Sequence, residues 1–168
     1  DRTPNMKPLK TLWVCNRKTD LKGIETRKRA RLTVKGCAQR PGFDYVSTFA
    51  PTIRFETLRF VLALAMQIGC DFSTIDFSKA FLHGVMDTTL YIFLPKGYHF
   101  STHLKHLDPR KHVLKLKKAV YGTKQSARCW YKVIKAALLE EGLTQSMCDP
   151  CLFFAINGVA VLYIILYV

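Results

Sequence analysis

Acidic side chains are scarce in this chain: 12 Asp and Glu stand against 26 Lys and Arg, a formal net charge of +14 over 168 residues. Such an imbalance argues against cationic partners and favours polyanions, with nucleic acid ahead of a membrane surface. Long apolar runs are missing as well. The longest, Val159 to Val168, is about half the roughly 20 residues that a membrane-spanning helix needs. Regular cysteine spacing is also absent. Cys15, Cys37, Cys70, Cys129, Cys148 and Cys151 are irregularly placed, which favours reduced thiols in an intracellular protein over a disulfide framework. Cys148-Asp149-Pro150-Cys151 is a lone C-x-x-C with no second pair to complete a zinc site. His103, His106 and His112 lack partners at metal-site spacing and read as solvated loop residues. There is no internal repeat and no low-complexity tract. What is present is a composition 49% hydrophobic and 12% aromatic, enough for a sizeable core and too apolar for disorder.

The first dozen residues, with Pro4, Pro8 and scattered lysines, read as a linker over 1–11, so that the folded domain spans 12–168. Leu12 to Arg17 suggests a strand, Thr19 to Gly23 a turn, and Lys28 to Lys35 the return strand of a basic β-hairpin. Arg29 and Arg31 share one face of that strand. Such a row serves either as a charged edge that blocks aggregation or as a grip for phosphates. Glu56 to Ile68 is so densely apolar that the pattern predicts a helix buried nearly all round, closed by Gly69. Leu90 to Leu94 and Val113 to Leu116 read as strands on either side of a basic, histidine-containing loop. A second, amphipathic helix is expected to bury Trp130, Val133, Ile134, Ala137, Leu138 and Leu139, and to stop at Gly142. Leu152 to Ile156 and Val159 to Val168 flank Asn157-Gly158, a strong hairpin signal. Helices packed on one face of a mainly antiparallel sheet make this an α+β fold.

Between the two helical segments lies Cys70 to Gly84. Phe72, Thr74, Ile75 and Phe77 predict a short, largely buried strand, with Asp76 at its end and a helical turn starting at Ser78. A carboxylate there either caps the turn or holds a divalent cation, while free N–H groups at the turn's start receive phosphate oxygens.

Several segments then coincide in order and spacing: Arg29-Ala30-Arg31-Leu32 with Lys35-Gly36 and Gln39; Thr48-Phe49-Ala50-Pro51; Asp76 with Ala80-Phe81-Leu82 and Gly84; Tyr121-Gly122 with Lys124-Gln125 and Arg128; and the closing Leu166-Tyr167-Val168. Together they resemble the reverse transcriptase of Ty1/copia-type retrotransposons over nearly the whole chain. The resemblance implies the fingers and part of the palm of a right-hand polymerase. It implies that Asp76 is the first palm carboxylate and a ligand of catalytic Mg²⁺ or Mn²⁺. Arg31, with Arg29 and Lys35, would hold the triphosphate. Phe77, Ser78, Lys79 and Ala80 would line the nucleotide through their backbone, and Phe81 would be the gate beneath the sugar. Tyr121, Gly122, Lys124, Gln125 and Arg128 would line the nucleotide and template pocket. The implied partners are an RNA template, a DNA primer, dNTPs and the protease, integrase and RNase H of a Pol polyprotein, in a cytoplasmic virus-like particle and without a membrane.

The sequence departs from that family in places. Thr123 stands where Leu is usual, Ala127 where Pro is usual, and Lys79 where a small residue is usual. The family's Tyr-Val is followed by two aspartates, whereas Tyr167-Val168 are the last residues here. The expectation is therefore a piece of a longer polypeptide with one corner of a two-cation site, and no polymerisation by these residues alone. The rival reading is a catalytically dead basic module that binds nucleic acid by charge. The terminal apolar strand is expected to be a sticky edge.

Overall fold

The computed structural model describes residues 2–3 and 6–168; Pro4, part of the expected linker, lies outside the described residues. The strand signals resolve into three small antiparallel sheets rather than one. Strands β1 (Thr11–Thr19) and β2 (Glu25–Val34) pair along their length. The turn between them is fixed by Asp20, whose Oδ1 accepts the N–H groups of Lys22 and Ile24, with Gly23 at φ +79°. Strands β3 (Val85–Ile92) and β4 (Leu114–Lys118) form the second sheet. Strands β5 (Thr144–Gln145), β6 (Leu152–Asn157) and β7 (Ala160–Ile165) form the third, in the order β5-β6-β7. Two helices complete the fold, α1 (Phe55–Gln67) and α2 (Ser126–Glu140).

Two apolar clusters organise these elements. Val34 at the end of β2 packs with Leu90, Ile92 and Leu116 of the β3–β4 ribbon and with Leu9. Leu9 falls in the stretch expected to be a linker. It is buried, bridges Ile92 and exchanges backbone hydrogen bonds with Tyr91 and Phe93. The second cluster joins Trp130 and Ile134 of α2 to Leu143, Cys151, Phe153 and Leu166, with Ala80 and Phe81 packed against it.

Several expectations are corrected. Residues 71–77 carry no strand and are exposed, Ile75 at 78%. Their β-prone residues have no neighbouring strand to pair with among the described residues, and β-propensity acts only through such neighbours. Helix α1 is not buried all round: only Val61 and Ala65, one turn apart, are buried, while Phe60 and Met66 are exposed. Its apolar density says nothing about how many elements cover it. In α2, Ala137 and Leu139 are exposed and Cys129 is buried in their stead. The last hairpin turns at Gly158-Val159, with Asn157 paired to Ala160. The positive φ is at Gly158 alone, as a II′ turn requires, so the turn lies one residue beyond the Asn-Gly signal. Strand β7 is six residues rather than ten. His112 is half-buried, its Nδ1 accepting the Asp108 N–H at 3.1 Å, and is no solvated loop residue.

Candidate nucleotide site

The register from Lys18–Arg27 inward sets which β2 side chains share a face, and a shift between Lys18 and Thr19 pairs Glu25 with Thr19. Arg27, Arg29 and Arg31 alternate onto one side, opposite Lys18, Asn16 and Val14 of β1. The opposite face carries Arg17 and Lys28, both bridged by Glu25 at 3.6 and 3.4 Å. The arginine face thus has no carboxylate of its own. At its inner end the Arg31 guanidinium lies 5.7 Å from the centre of the Tyr121 ring. On the other side of the site, Tyr121 meets Phe81 with ring centres 5.1 Å apart, tilted by 58°. Arg31, Tyr121 and Phe81, from three separate segments, are therefore joined by one cation–ring and one tilted ring–ring contact.

Backbone contacts lock the Tyr121 turn against the hairpin. The Val34 N–H donates to the Tyr121 carbonyl at 2.8 Å. Gly122 adopts φ +88°, and a Cβ there would overlap the Val34 carbonyl and come within 2.6 Å of Thr33 Cγ2. A Cβ on Gly36 would in turn overlap the Gly122 carbonyl. Gly122 is thus needed for the approach of the protein's own backbone.

Gln125 supplies the rest of the scaffold. It is fully buried; its Nε2 donates to the Asp44 carbonyl and to Thr88 Oγ1, both at 3.0 Å, and its Oε1 accepts from Gln39 Nε2 at 2.9 Å. Gln39 Oε1 in turn accepts the Lys124 N–H at 2.7 Å. Asp44 is gripped by Arg40, whose Nε donates to Oδ2 and Nη2 to Oδ1, both at 3.1 Å. The Arg40 side-chain hydrogen bonds outweigh burial and hold the Asp44 carboxyl below its usual range. Gln125 therefore braces the pocket segment from behind, its amide engaged at both ends by the protein itself. The other two members of that segment point elsewhere: Lys124 lies over the Tyr45 ring at 5.0 Å, and Arg128 forms an ion pair with Asp87.

The Asp76 segment is fastened by its neighbours. Phe77 packs on Trp130 with centroids 5.2 Å apart. Gly84 closes the loop against α2, where a Cβ would sit 2.8 Å from the Trp130 nitrogen. The turn expected after Asp76 is a 3-10 turn over Ala80–His83. Lys79, just before it, has φ +57° and is the only non-glycine with positive φ among the described residues; this offers a physical reason for the family's small residue there. The N–H groups of Ser78 and Lys79 donate to no backbone carbonyl among the described residues. Asp76 itself is exposed. Arg29 lies on the arginine face beyond Arg31, and Lys35 is exposed just past the end of β2.

A pair of divalent cations needs a cluster of carboxylates. Among the described residues no group of three or more His, Cys, Asp or Glu side chains is placed to hold a metal, and Asp87 is committed to Arg128 and Lys132. The described residues thus do not form a complete Mg²⁺ or Mn²⁺ site.

The lone C-x-x-C has a different role. Asp149 is fully buried; its Oδ2 accepts the Arg54 N–H at the start of α1 and its Oδ1 the Cys151 N–H, each at 2.9 Å. Burial pushes its carboxyl up, but these hydrogen bonds and one from Thr57 prevail, and it titrates below the usual range. Burial raises the Cys151 thiol to about 11, which leaves it unreactive. All six cysteines are free thiols. Asp149, which clips α1 to the third sheet, was hidden behind the cysteines that flank it.

The site thus combines a cationic strand face, a tilted pair of rings and an exposed aspartate. Over residues 1–168 the chain matches the family model described as reverse transcriptase (RNA-dependent DNA polymerase). It is 35% identical over 156 residues to the Retrovirus-related Pol polyprotein from transposon RE2 of Arabidopsis thaliana, covering 93% of this chain and 10% of that protein. It is 33% identical over 148 residues to the corresponding polyprotein from transposon TNT 1-94 of Nicotiana tabacum, covering 88% and 11%. With the Transposon Ty1-NL2 Gag-Pol polyprotein of Saccharomyces cerevisiae it shares 29% identity over 133 residues, covering 79% and 7%. No solved structure matches. The chain belongs to the reverse transcriptase family of Ty1/copia-type retrotransposon Pol polyproteins, and it spans about a tenth of the length of the plant relatives. No helix among the described residues is long and apolar enough to cross a membrane.

Proposed function

We propose that this chain is the nucleotide-selecting part of an RNA-directed DNA polymerase, with the β1–β2 hairpin as fingers and the α2–third-sheet cluster as part of the palm. The observation that carries this reading is the contact of Arg31, Tyr121 and Phe81, with Phe81 following closely on Ser78 and Lys79, whose N–H groups no backbone carbonyl engages among the described residues. Arg31 brings a fixed, planar cation to a triphosphate, with Arg29 and Lys35 adding charge farther out. Phe81, held by Tyr121 and the core, cannot swing away from a sugar lying on it, so a 2′-OH meets a wall. Tyr121 supports the nucleotide and template pocket, with Gln125 holding that segment in place. A divalent cation would neutralise charge on the transferring phosphate. Asp76 is its ligand in this chain, and other carboxylates would have to complete the site.

Primer extension tests the reading. On an RNA template annealed to a DNA primer, residues 1–168 are expected to add no dNTP in Mg²⁺ or Mn²⁺. A version extended by the family's Asp-Asp and the strand that follows is expected to extend the primer and to lose that activity with Asp76→Ala. Robust polymerisation by residues 1–168 would overturn the single-carboxylate account, and an extended version indifferent to Asp76→Ala would overturn the role of Asp76. The rival, a binding module without catalysis, predicts that even the extended version fails to polymerise.

A further inference from the structure

The positive charge is concentrated in two stretches. Residues 10–40 hold ten Lys or Arg against two acids, and residues 96–118 hold seven against one; together they account for the whole excess of +14. The first stretch includes the arginine face of the hairpin. The second lies outside every motif that marks the nucleotide site, and its lysines need another explanation.

The β3–β4 ribbon supplies one. Tyr91 pairs with Lys115, and Leu90 with Leu116, so alternation puts Leu90, Ile92 and Leu116 on the core side and Tyr91, Lys115 and Lys117 on the outer side. Phe93 continues the outer row. The Arg2 guanidinium lies 5.3 Å from the centre of its ring, and the Arg2 N–H donates to the Lys111 carbonyl at 2.7 Å. Tyr91 and Phe93 are half-buried and belong to neither core cluster. Lys111, Lys115 and Lys117 are exposed, and among the described residues none of them takes part in an ion pair.

We propose that this outer face, Arg2, Tyr91, Phe93, Lys111, Lys115 and Lys117, is a second nucleic-acid contact, a track for a single strand distinct from the nucleotide site. Aromatic rings interleaved with cations are what a single strand uses, bases stacking on rings while phosphates follow the charges. Lysines are depleted in protein–protein interfaces and bind phosphate as point charges, so an acidic protein fits less well. An anionic bilayer would be attracted by the charge alone and has no use for two rings fixed on a ribbon.

The test measures binding of the full 168-residue chain to a fluorescent oligo(dT) of about 16 nucleotides across a salt series, a length at the upper end of single-strand site sizes. Three variants are compared with the wild type, each checked by thermal melting: Lys115→Gln with Lys117→Gln, Tyr91→Leu, and Arg27→Gln with Arg29→Gln on the hairpin. The lysine pair is expected to lower the slope of log K against log salt by about 1.4, roughly 0.7 for each phosphate no longer neutralised. Tyr91→Leu is expected to weaken binding about fivefold or more with the slope unchanged. Unchanged slope and affinity in both β3–β4 variants would overturn the track, even if the hairpin pair loses binding. Loss of binding to phosphatidylserine vesicles by the lysine pair, with oligonucleotide binding intact, would likewise overturn it in favour of a membrane contact.

Discussion

Gly122→Ala should be far more damaging than an ordinary glycine substitution, because two separate costs meet there. The first is conformational: at φ +88° an L side chain costs about 1–2 kcal/mol. The second is steric. The new Cβ would overlap the Val34 carbonyl, which is backbone and cannot rotate aside. The hairpin base must retreat, which strains or breaks the 2.8 Å bond from the Val34 N–H to the Tyr121 carbonyl, worth about 1 kcal/mol. It also loosens Val34, now 2% exposed, from its cluster. Together these give a loss of about 3–4 kcal/mol, or roughly 6–15 °C in Tm for a chain of this size. Gly142→Ala is the control: φ is +85°, yet nothing lies within 4 Å of its Cβ position, so only the conformational cost of about 1–2 kcal/mol applies. Urea unfolding of both variants at pH 7 measures the difference. Equal destabilisation of the two would refute the claim that Gly122 is required by close packing.

Gln125→Leu should destabilise the chain by about 2–4 kcal/mol by stranding the Gln39 amide, the Asp44 carbonyl and the Thr88 hydroxyl; urea unfolding that shows less than about 0.5 kcal/mol of change would contradict its bracing role. Asp149 and Asp44 both titrate below the usual carboxylate range. Folded values below an unfolded value of about 3.9 mean that their stabilisation is complete above that pH and is lost as pH falls through the folded values. The urea midpoint should therefore fall steeply below about pH 4, and Asp149→Asn should make that fall shallower while lowering the midpoint at pH 7.

Local signals were the legible ones. Asp20 to Gly23 announced its turn because the hydrogen bonds that fix it stay within a few residues, and Gly142 stopped α2 for the same reason. The resemblance, resting on several short motifs, points to Arg31, Tyr121 and Phe81, and these three are in contact in the structure. What stayed hidden depended on distant partners. Whether Phe72 to Phe77 forms a strand is decided by a neighbouring strand, and whether α1 is buried is decided by what lies over Phe60 and Met66. Neither is written in the segments themselves. Gln125 looked like a pocket residue because it sits in the motif, but its partners at Gln39, Asp44 and Thr88 are 37 to 86 positions away. The role of Asp149 is likewise invisible locally, because its partner Arg54 lies 95 positions away.

Binding of a deoxynucleoside triphosphate to residues 1–168, followed by calorimetry in Mg²⁺, tests the central claim most directly. Arg31→Gln should weaken binding about tenfold or more through loss of a charge-assisted contact, whereas Lys22→Gln at the hairpin tip should leave it unchanged. Equal binding by the wild type and Arg31→Gln, or equal loss in both variants, would contradict a nucleotide site built on Arg31, Tyr121 and Phe81.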